Sequence, residues 1–209
     1  AIALGECLAT ENTVERNPKG SIRFREIPLD LSPGCCEYRL EIPSDARNTS
    51  CPPAVPVPPG IGEILPFRYV EITGLSRPLS RAEIVRLDTF YPFCEPASAF
   101  TSSSPELDQV WELCRYSIKA TSPLGIYIDG DRERIAYEAD AYINQLCHYG
   151  TDAEYAMARV SHEFLITHPT WPTEWILHSV LIAWADYEYT GDARSLRACY
   201  ADLKAKLLL

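Results

Sequence analysis

The feature that most constrains the fold is a change of hydrophobic period near residue 100. Before it, apolar and polar residues alternate in short segments, SIRFREIPLDL, EYRLEIP, FRYVEITGL and AEIVRLDTFYPF, separated by turn residues that include the Pro-rich CPPAVPVPPGIG. A period of two puts alternate side chains on one face of a strand, so residues 1–100 are expected to form a β-rich module. Beyond it the period becomes helical. Ser104 can cap a helix with Pro105 at its first position, and Leu107, Val110, Trp111, Cys114 and Ile118 follow at three- and four-residue spacing. A second helix is expected over roughly Glu133–Tyr149, and Thr151-x-x-Glu154 is a capping box that would open a third. Trp171-Pro172 would start a fourth that stops at Gly191, and Asp192 leads into a fifth. Residues 101–209 are therefore expected to be all-α, with Trp111 and Trp184 in the core. Leu203, Leu207 and Leu208 resemble half of a packing face, and AIALGE reads as a strand entered midway. Both suggest a segment of a longer polypeptide.

Charge narrows the partners. The net charge is −10, and residues 1–100 carry 10 basic and 13 acidic side chains, which leaves −7 for residues 101–209. Nucleic acid and anionic membrane are poor partners for such a surface, because both need a basic face. No apolar run reaches the roughly 18 residues of a membrane span, and AIALGECLATENT has neither the charged region nor the apolar region of a signal peptide. Cys7, Cys35, Cys36, Cys51, Cys94, Cys114, Cys147 and Cys199 show no C-x-x-C spacing and are expected to be buried free thiols, with no zinc site. Asn48-Thr49-Ser50 is a formal glycosylation sequon. His148, His162, His168 and His178 have no metal-ligand or triad spacing and are expected to be structural or surface residues.

One stretch carries chemistry. In YIDGDRERIAYEADAYINQL, four acidic groups and two arginines fall between Asp129 and Glu138, flanked by apolar LGIYI and YINQL. If residues 133–144 are helical, Glu133, Tyr137, Asp140 and Asn144 form one stripe, with Glu133 and Asp140 roughly 10.5 Å apart along the axis. Ile135, Ala139, Tyr142, Ile143 and Leu146 would then face the core, and Asp129, Asp131 and Arg132 would lie in the entering loop. Carboxylates beside arginines and an aromatic ring suit a polyhydroxylated ligand. A solvated helix N-terminus would also collect acids, because the helix dipole favours them there. Glu174 has the same two readings, sugar contact or first-turn acid.

DGDRERIAYEADAYINQL, with SSSPELDQVWELCRYSIKAT before it and PTWPTEWILHSVLIAWADYEYTGD after it, resembles the bacterial α-L-rhamnosidases of glycoside hydrolase family 78. GIGEILPFRYVEITG is similar to the strand segment these enzymes carry in the β-sandwich that precedes their catalytic domain. The resemblance implies a β-sandwich-type accessory domain over 1–100 and, over 101–209, the first helices of an (α/α)6 toroid. It also implies inverting hydrolysis of terminal α-L-rhamnosyl bonds, with a carbohydrate substrate and no catalytic metal or other cofactor. Residue by residue, Glu133 falls on the general acid, Tyr137 on an aromatic that is usually Trp, and Asp140-Ala141 on the Asp-Ala pair. Asp129 and Arg132 fall on the earlier Asp and Arg across a shorter loop. Trp175 resembles the sugar-stacking Trp, followed here by Ile176-Leu177-His178 where the family has Gly-Asp-Ala. The general base would come from a later helix, in the remaining part of the polypeptide. A non-catalytic carbohydrate-binding relative, or a glycosidase of another specificity, is the alternative.

Overall fold

The computed structural model describes residues 1–34, 37–45 and 54–207, so Cys35, Cys36, Cys51, the sequon at Asn48 and Leu208 lie outside the described residues. The chain divides into two compact units, Ala1–Asp45 with Val57–Thr89, and Ala46–Pro56 with Phe90–Leu209.

The first unit is built on β1 (Ile2–Gly5), which lies between β4 (Phe24–Ile27) and β5 (Tyr69–Ile72) and pairs antiparallel with both. Ile2 stands opposite both Ile27 and Ile72, which gathers apolar side chains on one face of the sheet. Leu4, Ile27 and Leu65 form its buried core, with Ile2, Leu40, Ile42 and Phe67 packed against them. A second, two-stranded ribbon joins β2 (Leu8–Thr10) to β3 (Thr13–Val14). Val14 packs so close to Gly5 that a Cβ at that position would collide with its side chain. Two ion pairs tie the loops down: Arg23 to Asp45 at 3.0 Å, where little water reaches, and Arg16 to Glu71 at 2.5 Å. Glu71 also accepts Val14 N at 2.9 Å.

This unit has fewer strands than its alternation predicts. EYRLEIP lends Leu40 and Ile42 to the core without joining a ladder, and AEIVRLDTFYPF begins with a short 3-10 turn at Arg81–Glu83 and continues as irregular chain. Prolines at 28, 33 and 43 remove donors that a continuous ladder would need. Val85 and Leu87 stand at strand spacing but are exposed, as is Ile84.

The second unit is helical: α1 (Pro105–Ala120), α2 (Glu138–Thr151), α3 (Ala156–Thr167), α4 (Thr173–Ile176), α5 (His178–Thr190) and α6 (Arg194–Lys206). α2 is central and packs against α1, α3 and α5, while α5 and α3 both meet α6. Its core joins Tyr127, Ile128, Met157, Leu165, Ile182 and Leu203. Ser104 and Pro105 begin α1 as expected, and Gly191, at φ 66°, closes α5 in the left-handed conformation that spares an L side chain its strain.

Four expectations fail here. α2 starts at Glu138 rather than Glu133, because Arg134 has φ +55° and cannot continue a right-handed helix. Thr151 does not open α3; it ends α2, its hydroxyl bonding back to the carbonyls of Cys147 and His148. The expected fourth helix is two, broken at Leu177, with Pro172 as the N-cap of α4. The buried stripe of α2 is not the apolar one: Glu138, Ala141, Gln145, His148 and Tyr149 face inward, whereas Ile143 is 60% exposed. Polar side chains are tolerated inside because they find partners, as when Gln145 Nε2 donates to Ile182 O at 3.0 Å and Tyr149 OH to Asp186 Oδ1 at 2.8 Å.

The core assignments need correction too. Leu107, Val110 and Cys114 on α1 are exposed and only Ile118 of that stripe is buried. Trp111 is half-buried against Phe100, and Trp184 is 50% exposed. Cys94, Cys114 and Cys147 are exposed and Cys7 and Cys199 half-buried, and all five are free. His148 and His162 are buried, and His168 and His178 are not.

Candidate active site

Residues 129–137 form a loop clamped at its base. Asp129 N donates to Ile135 O at 2.9 Å and Asp129 Oδ1 accepts Ile135 N at 3.2 Å, so the segment between them must turn back on itself. Gly130, at φ 123°, and Arg134, in the left-handed region, make that turn. The loop then treats its two arginines oppositely. Arg134 is 2% exposed, bonds Asp131 Oδ1 through Nη2 at 2.7 Å and Nε at 3.1 Å, and its carbonyl accepts Val55 N at 2.7 Å. Arg132 has a side chain 63% exposed that reaches Glu133 Oε1 at 2.7 Å and Asp129 Oδ2 at 3.8 Å.

Glu133 is held from the other side by the Tyr137 hydroxyl, which donates to Oε2 at 3.0 Å. Burial pushes Tyr137 up to about 12, with the Glu133 carboxylate adding to the effect, so it stays a donor at neutral pH. The Tyr137 ring meets Trp175 edge-on at 5.3 Å. Asp129 and Asp140 face a shallow depression of about 180 Å³, lined also by Thr121, Ile128, Ile143 and Asn144. Burial raises Asp129 to about 6, helped by the negative charge of Glu133 and Asp140 and opposed by the Ile135 amide and Arg132. Asp140 is raised as well, also by burial.

The structure thus brings together Asp129, Arg132, Glu133, Tyr137 and Trp175, with Asp140 beside Asp129. The single helical stripe expected of Glu133, Tyr137, Asp140 and Asn144 is corrected: Glu133 is on the loop and Tyr137 is the N-cap of α2, so the loop rather than helical periodicity sets their approach. Asp131 turns to Arg134 as a structural pair, and Glu174 is exposed in the first turn of α4. One residue that sequence reasoning passed over is Glu138. Its carboxylate is wholly buried and accepts Thr170 N at 3.1 Å and the Thr170 hydroxyl, anchoring the residue that precedes Trp171. In sequence it resembles any acidic residue in a first helical turn, and only its burial marks it.

A loop-held carboxylate bonded to a phenol thus lies beside two further acids and two half-buried aromatic rings. The family model for the bacterial alpha-L-rhamnosidase 6 hairpin glycosidase domain matches residues 95–207. That is more than half of the chain, and the chain belongs to this family. No curated protein and no solved structure matches it.

Proposed function

We propose that this protein is an α-L-rhamnosidase that cleaves terminal α-L-rhamnosyl residues by inversion, with Glu133 as the general acid. The observation that carries the reading is the placement of Glu133: the Tyr137 hydroxyl and Arg132 hold it beside the depression that Asp129 and Asp140 line, inside the matched domain. Inversion needs a proton donor at the leaving oxygen and a second carboxylate, roughly 6.5–9.5 Å away, to activate water. In this reading Asp129 and Asp140 accept from sugar hydroxyls, Arg132 fixes the acid, and Tyr137 and Trp175 offer ring faces to the substrate. The reading requires a second carboxylate as the water-activating base. The helices then belong to an (α/α)6 toroid, and the N-terminal unit to a β-sandwich-type accessory domain. No metal or other cofactor takes part.

A second reading is favoured by one observation. Asp129, raised to about 6, is a proton-holding carboxyl near neutral pH and could itself serve as the acid. The two readings separate on leaving-group dependence. In the full-length protein, Glu133→Gln should spare activated aryl rhamnosides more than alkyl ones, and Asp140→Asn should weaken both alike. If Glu133→Gln slows both substrates equally while Asp129→Asn shows the selective pattern, Asp129 is the acid.

A further inference from the structure

Three aromatic rings leave the Glu133 end of the site in a row. Tyr137 bonds Glu133 and meets Trp175, and Trp175 faces Trp171 at 6.4 Å between centroids, with 37° between the planes. Trp171 is 86% exposed, more than any other large apolar side chain among the described residues. A bare indole in water is a surface held ready for an apolar face. Yet the residue before it is pinned: the buried Glu138 carboxylate holds both the amide and the hydroxyl of Thr170. Among the described residues no cation pairs with Glu138, so those two bonds, with its place in the first turn of α2, compensate the burial.

The row has a direction. Arg132 links Glu133 back to Asp129, which opens on the depression with Asp140 and Asn144. Glu133 therefore lies between a carboxylate-lined hollow and an aromatic strip. A general acid sits at the glycosidic oxygen, between the glycosyl unit and the leaving group. With the hydroxyl-rich glycosyl unit in the hollow, the aromatic strip is on the leaving-group side.

We propose that Trp171 and Trp175, held by the clamp between Glu138 and Thr170, form a platform that binds the leaving-group ring of the glycoside, a phenyl or second sugar ring with an apolar face. Which side is the leaving-group side rests on the rhamnosidase reading. The existence of the platform does not. Glu138 is a positioning residue, acting on ligand through Thr170 and the two rings.

The test follows the indole and Thr170 amide signals of the 209-residue chain by NMR during titration with methyl α-L-rhamnopyranoside, phenyl α-L-rhamnopyranoside, phenyl β-D-glucopyranoside and a rhamnose-terminated disaccharide. The phenyl rhamnoside should shift the Trp171 and Trp175 indoles and bind roughly 3- to 10-fold more tightly than the methyl rhamnoside. Trp171→Ala should abolish that advantage and leave methyl rhamnoside affinity unchanged. Thr170→Val and Glu138→Leu should speed exchange of the residue 170 amide and reduce the advantage, and Glu138→Gln should restore part of it. The disaccharide arm tells a sugar ring from an aryl ring on the same indoles. Absence of indole shifts with every ring-bearing ligand, or an advantage that survives Trp171→Ala, overturns the platform. An unchanged amide exchange and an unchanged advantage in Thr170→Val overturn the clamp. Equal binding of phenyl glucoside and phenyl rhamnoside, with both indoles shifting, leaves the platform standing and defeats the rhamnosidase reading instead.

Discussion

The two ends of α2 carry similar residue types in opposite surroundings. At its N-terminal end, Asp129, Glu133, Tyr137 and Asp140 gather beside an open depression. At its C-terminal end, His148 is wholly buried: the Tyr127 hydroxyl and His148 Nδ1 share a hydrogen bond of 2.7 Å, Asp152 Oδ2 lies 3.7 Å from Nε2, and the Phe93 ring packs at 4.6 Å. Asp152 in turn accepts Cys94 N at 3.0 Å, fastening the chain that leads into α1. An acid, a phenol and a bonded partner are present at both ends, but only the first has an opening beside it. Titratable groups become chemistry where a ligand can reach them and architecture where it cannot.

The largest expected effect separates the ends by activity. On the proposed reading of Glu133 as the general acid, Glu133→Gln should lower turnover of poor leaving groups by roughly 10²- to 10⁴-fold, the usual share of general acid catalysis. It should hardly move thermal stability, because the Arg132–Glu133 pair is solvent-screened. The reverse belongs to the adjacent arginine. Arg134→Met removes one partner of a pair in which Arg134 is buried and should cost about 3–5 kcal/mol in denaturant unfolding. A loss of activity in that variant with full stability would mean that Arg134 touches ligand.

Much of this contrast was written in the sequence, though unevenly. The helix start at Ser104-Pro105 and the stop at Gly191 are chain-local effects, since a fixed proline φ and an unhindered glycine act whatever packs around them. The cluster at 129–140 was also visible, because charge between apolar runs is unusual. The course of the loop was not visible. Asp129 caps it through a bond to Ile135, and Arg134 accepts a left-handed backbone because its side chain and carbonyl gain Asp131 and Val55, partners that no local pattern reveals. The inward face of α2 was hidden for the same reason: Gln145 and Glu138 are polar by composition and buried only because Ile182 and Thr170 meet them. In the N-terminal unit alternation overstated the sheet, since Leu40 and Ile42 satisfy the core without a ladder.

Proton linkage sharpens the comparison. His162, buried under α5, is pushed down to about 4 mainly by burial, and burial lowers His148 also. A histidine whose folded pKa lies below its unfolded value of about 6.5 is bound by more protons in the unfolded chain, so its contribution is full above 6.5 and is lost as pH falls. For His162 the loss runs between about 6.5 and 4 and amounts to at most about 3 kcal/mol. Replacing His162 by Gln should flatten the pH dependence of unfolding over that window. An unaltered slope would show that the ring reaches water.

The site end should show the opposite slope, and a smaller one. Asp129 titrates near 3.8 when unfolded and about 6 when folded, so between those values the folded chain binds the additional proton and stability falls as pH rises. Above about pH 6 the penalty of holding the charged carboxylate among Glu133 and Asp140 is complete. Asp129→Asn should therefore stabilise the protein at pH 7, by roughly 1–2 kcal/mol once solvent in the open depression is allowed for, and make no difference below about pH 4. Because Asn keeps an oxygen to accept Ile135 N, the loop turn should persist, so the gain isolates the charge. Equal stability of the two proteins at pH 7, or a loss in the variant, would mean that Asp129 is ionised at no cost. The distinction between an open end and a closed end of α2 would then fail where it is most directly measured.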